Sequence, residues 1–305
     1  MKRSINLITE ISSLTISNPF ILASGIMDED AGSMYRILKS GAGAVVTKSI
    51  GMNERLGHPN PTFVELEHGL LNAMGLPNPG IEAYEEEIKS LKKDEGTVIG
   101  SIFGSNENEF KYLAQTMEQY GADGLELNLS CPHVKGYGLE IGQDPDLIYK
   151  ITNTVVSNTS IPVFVKLSPN VNNICTLAKT VEKSGAHGIV AINTVKAMKI
   201  DIQARTPVLA NIIGGYSGKA IKPIGIRNVY EIYKEVSIPI IGVGGITNGL
   251  DVIEYLMAGA TAVQVGSAIF YEGIMLFSKL KKQVENWMKQ HHITQISDLI
   301  GVAHR

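Results

Sequence analysis

A (β/α)8 barrel is the architecture expected from this chain, on three observations. Eight short apolar runs recur along it, each followed by a polar or glycine-rich turn and an amphipathic stretch. The runs are mostly continuous rather than alternating, as in parallel strands covered on both faces. Gly-Ala pairs at 41–42, 121–122, 185–186 and 259–260 close several of the amphipathic stretches, a helix stop leading into the next strand.

The elements follow in order. INLITE and LTIS, within the first 18 residues, read as a short β-hairpin that caps one end. FILAS (20–24) is the first barrel strand and AGSMYRILKS its helix. AVVTK (44–48) is the second, followed by a long connection, 49–80, and the helix IEAYEEEIKSLKKD. TVIGS (97–101) pairs with NENEFKYLAQTMEQY, GLELN (124–128) with DPDLIYKITNTVVSN, and PVFVK (162–166) with VNNICTLAKTVEKS. GIVAIN (188–193) precedes the second long connection, 194–222, and the helix PIGIRNVYEIYKEV. PIIGV (239–243) leads to GLDVIEYLMAG, and AVQVG (262–266) to a last outer helix in FSKLKKQVENWMKQHH. An open doubly wound sheet is the alternative, because periodicity does not show closure.

Composition narrows the function. The 305 residues, 44% hydrophobic, suffice for one large core, and no low-complexity linker divides them, so 1–305 reads as a single domain. A net charge of −3 offers no basic field for nucleic acid or anionic lipid. No apolar run approaches the roughly 20 residues of a membrane helix, and MKRSINLITE has no apolar signal region. The two cysteines, Cys131 and Cys175, make no disulfide framework. The expectation is a soluble cytoplasmic protein with reduced thiols.

In a barrel the carboxyl ends of the strands converge on one mouth, where active sites are built. The run ends there are Ser24, Lys48, Ser101, Asn128, Lys166, Asn193 with Thr194, Gly244 with Gly245, and Gly266 with Ser267; Asn72 lies in the first long connection. Lysines and amides at strand ends are often solvated or turn residues. Their number at one mouth is not needed for stability. The glycines after the seventh and eighth runs suit a phosphate held by backbone N–H groups. Other phosphate motifs fail: a dinucleotide fingerprint in GVGGIT would need glycine at Thr247, and a Walker loop ending at 218–220 would need one at Ile213. Lys166 also suits a Schiff-base aldolase. Cys131 with His133 is too small a set for a metal, and Cys175, on a helical pattern, reads as packing. Cys131 itself ends a strand, before a proline and a glycine-spaced loop, an exposed place for a thiol.

The motifs NPFILASG, TKSI, NAMGLPNPG, ELNLSCPHVKGYG, VFVKLSPN, AINTVKAMKID, GGYSGKAIKP, IIGVGGI and QVGSAI run in order from about residue 4 to 300. With them the chain resembles the dihydroorotate dehydrogenase family, most closely its NAD-linked class 1B. The resemblance implies a TIM barrel that binds FMN and oxidises dihydroorotate to orotate in pyrimidine synthesis. It assigns Cys131 as the base for the C5 proton, with flavin N5 taking the C6 hydride. It assigns Ser24, Lys48, Ser49, Ser101, Asn128, Lys166, Ile192 and Gly218 to the flavin, and Gly244, Gly245, Gly266 and Ser267 to its phosphate end. Lys166 would answer negative charge near flavin N1 and O2. Lys48, Asn72, Ala73, Met74, Gly75, Leu76, Asn128, Asn193 and Thr194 would hold the substrate. Class 1B implies a homodimeric core with a partner subunit carrying FAD and a 2Fe–2S cluster, in a heterotetramer that reduces NAD. The chain departs from the family pattern twice: His133 follows Cys-Pro where asparagine is common, a Ser-Cys-Pro-His sequence shared with dihydropyrimidine dehydrogenases acting on uracil and thymine, and Ser101 stands where asparagine is usual. A stand-alone enzyme reducing fumarate, a dihydropyrimidine dehydrogenase-like activity and a non-catalytic flavin-binding subunit stay open.

Overall fold

The computed structural model describes residues 4–93, 96–129 and 141–305. Eight parallel strands form a closed barrel: β1 Phe20–Leu22, β2 Ala44–Val46, β3 Val98–Ile102, β4 Gly124–Asn128, β5 Val163–Leu167, β6 Gly188–Ala191, β7 Ile240–Val243 and β8 Ala262–Val265. They pair in chain order, and β8 returns to β1 with Val263 opposite Phe20 and Val265 opposite Leu22. Each coincides with one of the eight apolar runs, β3 and β5 reaching one residue past theirs, to Ile102 and Leu167. Closure, which periodicity left open, is thereby observed.

The outer helices are α1 Ala31–Lys39, α2 Glu85–Lys93, α3 Glu107–Tyr120, α4 Pro145–Val156, α5 Ile174–Lys183, α6 Lys222–Tyr233, α7 Gly249–Met257, the short α8 Ala268–Glu272 and α9 Leu276–Gln290. Their starts are written in the sequence: the side chains of Asp30, Asn106, Asp144, Asn173 and Asn248 accept hydrogen bonds from first-turn N–H groups. Their stops are too. Gly41, Gly121, Gly185 and Gly259 all have positive φ, where glycine carries no Cβ penalty.

Side chains alternate between the inside of the barrel and the helices. Outward residues such as Leu22, Val45, Val98, Leu125, Val165 and Val263 join the core beneath the helices. Inward residues Ile21, Ala44, Val46, Ile99, Phe164, Val190, Ile241 and Ala262 form a second core. That core is sealed by Ile11, Leu14 and Ile16 of the N-terminal hairpin, Thr9–Ile11 paired with Leu14–Ile16. Two residues further along the strands the inward positions turn polar: Ser101, Glu126, Lys166 and Gln264 are all buried. One end of the barrel is therefore plugged and apolar, and the carboxyl end is polar.

The two long connections hold more than loops. Phe63–Leu66, Gly69–Asn72, Gly214–Ser217 and Val195–Ala197 form a four-stranded antiparallel sheet over the carboxyl end. Asn72 lies opposite Gly215 in it, and its side-chain amide donates to the Gly215 carbonyl at 3.4 Å.

Candidate active site

A cavity of about 500 Å³ lies between the barrel's carboxyl end and this sheet. It falls in the range of roughly 300–1,000 Å³ usual for ligand and cofactor sites. Ser24, Lys48, Ser49, Asn72, Met74, Gly75, Leu76, Asn128, Lys166, Ile192, Asn193, Thr194, Gly218, Gly244, Gly245, Gly266 and Ser267 all line it. The structure thus brings together, from seven of the eight strand ends and two connections, nearly every residue expected there. Ser101 and Ala73 sit one layer behind, fully buried. Cys131 and His133 lie outside the described residues.

Each wall has a local cause. After β1 the chain turns back on itself, and the Asp28 carboxylate accepts from Gly25 N–H at 2.5 Å and Ser24 Oγ at 3.3 Å. Asp28 is 1% exposed. Burial raises its pKa, only partly opposed by the Gly25 hydrogen bond and the Lys48 charge. Lys48 is paired instead with Glu29, at 3.2 Å. Tyr84 donates its hydroxyl to the Asp28 carbonyl at 2.9 Å and so ties this turn to the segment before α2.

Ser101, Ser49 and Asn128 form a polar chain. The two serine hydroxyls are 2.8 Å apart, and Asn128 Nδ2 donates to Ser49 Oγ at 3.0 Å. Asn128 is 8% exposed, and among the described residues its Oδ1 has no partner. A buried amide oxygen without an acceptor role costs about 1–3 kcal/mol. In a cavity wall it is an acceptor held ready for a ligand donor.

On the floor, Lys166 Nζ approaches Glu126 Oε1 at 3.2 Å and Gln264 Oε1 at 3.3 Å, and Gln264 Nε2 donates to Glu126 Oε2 at 2.5 Å. Sequence reading found Lys166 at a run end and missed Glu126 and Gln264 inside the same kind of run. The signal was present: a glutamate and a glutamine interrupt GLELN and AVQVG, whose other members are apolar or small apart from the terminal asparagine.

The far wall is backbone. Gly218, Gly244 and Gly245 have φ of 102°, 126° and 68°, a region that residues with a Cβ rarely adopt. A Cβ at Gly245 would stand 2.8 Å from the Gly218 carbonyl and from Lys222 N. Tyr255, from α7, donates to the carbonyls of Gly244 at 2.7 Å and Val243 at 3.1 Å and clamps the end of β7. At the rim Phe63 and Phe270 lie 5.6 Å apart between ring centroids. Neither was expected, because Phe63 comes from a connection with no periodic signal. Among the described residues no cluster of three or more His, Cys, Asp or Glu is arranged to hold a metal.

Known proteins resemble the chain along its length. The family model described as dihydroorotate dehydrogenase matches residues 6–288. A Thermoplasma volcanium protein named dihydroorotate dehydrogenase B (NAD(+)), catalytic subunit, is 52% identical over 295 residues, covering 97% of each chain. A Methanocaldococcus jannaschii protein of the same name is 51% identical over 300 residues, again with 97% of each chain covered. Two crystal structures of a DHODH from Eimeria tenella, one with ferulenol and one ligand-free, superpose with TM-scores of 0.87 at 24% and 25% identity. They cover all of this chain, which spans 90% and 94% of theirs, and they share its barrel. Fold, a sequence match along nearly the whole chain and the cavity at the barrel's carboxyl end agree: the chain belongs to the dihydroorotate dehydrogenase family.

Proposed function

We propose that this chain, a single barrel domain, is the FMN-binding catalytic subunit of an enzyme that oxidises dihydroorotate to orotate in pyrimidine biosynthesis. The observation that carries the reading is the cavity floor and its side wall. Two cavity-lining residues keep unused hydrogen-bonding capacity: Lys166, a buried ammonium with two of its three N–H groups taken, and Asn128, whose buried amide oxygen has no partner among the described residues. FMN would fit that set: Asn128 and Lys166 would meet the donor and acceptor edges of its ring, and Gly218, Gly244, Gly245 and Gly266 would hold its phosphate.

When bound, FMN supplies a hydride acceptor for C6 of the substrate. The chain's own groups do the rest. Lys48 answers the negative charge of the substrate carboxylate, and Asn72, Asn128, Asn193 and Thr194 meet its amide and carbonyl edges with both donors and acceptors. Met74, Gly75 and Leu76 cover it and exclude water. Cys131, outside the described residues, takes the C5 proton in this reading. Ser101 supports the site through Ser49 rather than by contact, and its short hydroxyl suits that place.

The chain has two cysteines in all and no dinucleotide fingerprint. Electrons bound for NAD therefore pass through a partner, which we propose carries FAD and a 2Fe–2S cluster on a homodimeric core in the cytoplasm. The relatives' name, a catalytic subunit linked to NAD(+), supports a partner. No described helix is long and apolar enough to cross a membrane.

The test is anaerobic. Dihydroorotate added to the FMN-loaded chain should bleach the flavin absorbance within one turnover. A flavin spectrum left unchanged by dihydroorotate but bleached by dihydrouracil, which gives up the two electrons as it becomes uracil, would replace the reading with dihydropyrimidine chemistry. A chain that takes up no FMN would end it.

A further inference from the structure

Two neighbouring strands, β4 and β5, meet β8 from across the barrel on the cavity floor. Lys166 comes from β5, Glu126 from β4 and Gln264 from β8, 40 to 138 residues apart in sequence. Their hydrogen bonds close into a ring in which both carboxylate oxygens of Glu126 and the amide of Gln264 are used. Lys166 is 5% exposed and the other two 1%. Folding alone does not call for such a ring, since buried ion pairs replaced by apolar residues of similar volume are often no less stable.

The ring has two consequences for whatever lies above it. An ammonium has three N–H donors. Glu126 and Gln264 take two, and among the described residues nothing takes the third, so the ring aims it at the cavity that all three residues line. The carboxylate also cancels the ammonium's charge. Without it a full positive charge would stand in a low-dielectric floor, where its influence on a neighbouring ring far exceeds that in water.

We propose that Glu126, acting through Lys166, sets the charge beneath the bound flavin and so holds its reduction potential down, with Gln264 locking the lysine's direction. This rests on the FMN reading above. Glu126 is a positioning residue in this account: it aims Lys166 and tempers it. A bare ammonium would bind the negatively charged reduced flavin too well and slow the onward passage of electrons.

The experiment is an anaerobic spectroelectrochemical titration of the full chain loaded with FMN, alongside its FMN dissociation constant. Glu126→Gln leaves Lys166 uncompensated and should raise the ratio of reduced to oxidised flavin at fixed potential at least tenfold, about 30 mV for a two-electron couple. The exchange variant Glu126→Gln with Gln264→Glu restores a carboxylate to the ring and should return the ratio to within about threefold of the parent. A purely structural role predicts no such return. Should Glu126→Gln fail to fold, Glu126→Met fills the same space without a polar atom and carries the same expectation. A potential unmoved by removing the carboxylate, or moved equally in the exchange variant, overturns the role of Glu126 even while dihydroorotate still bleaches the flavin. A parent chain that binds no FMN overturns the functional reading and this inference with it.

Discussion

Asp28 shows how one buried carboxyl can serve a site it does not enter. Desolvation raises its pKa above the ordinary 3.8, with Gly25 N–H and Lys48 opposing. A carboxyl whose folded value lies above its unfolded value favours folding fully only below about pH 4, and that contribution fades as pH rises through the folded value. Asp28→Asn keeps an acceptor for Gly25 and carries no charge. It should therefore melt at a higher temperature than the parent at pH 7, with the gap closing toward pH 4. A gap that stays constant with pH would exclude burial as the dominant cause. For Cys131, replacement by alanine should slow flavin reduction by dihydroorotate about 10²- to 10⁴-fold in stopped flow, the usual worth of a positioned base, while FMN affinity holds. A rate within a few-fold of the parent would move the base elsewhere.

Among the elements, the sheet over the mouth is the part built from the two connections. Gly69, Gly214 and Gly218 lie where backbones pack against each other; a Cβ on Gly69 would run into the Ser217 carbonyl, and one on Gly218 would stand 2.7 Å from Gly69 Cα. The barrel strands do not share this contact. Gly69→Ala is expected to strain the sheet by about 1–3 kcal/mol. If that strain falls on the substrate side, KM for dihydroorotate rises about 10- to 100-fold while the denaturation midpoint of the barrel barely moves. Equal loss of stability and binding would mean that sheet and barrel unfold as one. The clamp on β7 is of the opposite kind. Tyr255 holds Val243 and Gly244 from a helix of the outer layer, and its hydroxyl is pushed well above the ordinary tyrosine range, first by burial and then by Glu254 and Asp251. It stays a neutral donor at any physiological pH.

Across the whole molecule the two ends of the barrel divide stability from chemistry. The hairpin plug packs Ile11, Leu14 and Ile16 on the inward residues at the closed end, and none of these lines the cavity. Ile11→Ala should cost about 2–5 kcal/mol in chemical denaturation and leave the spectrum of bound FMN unchanged. A shifted flavin spectrum would show that the two ends are coupled. The strands and the glycine stops were legible in the chain because each depends on residues within one turn or one strand of itself; the helix caps at Asp30, Asn106, Asp144, Asn173 and Asn248 are as local, but the structure identified them. So were Lys48, Asn128, Lys166 and the glycine pairs: a strand end is a local landmark, and a barrel brings all such ends to one place. The mouth sheet was not legible, since Asn72 meets Gly215 only after closure has carried the two connections to the same rim. Nor was the ring of Glu126, Lys166 and Gln264. Each of its members points inward by the two-residue period of its own strand, but which residues face each other across the interior depends on the register and stagger of eight strands, and no single strand encodes that.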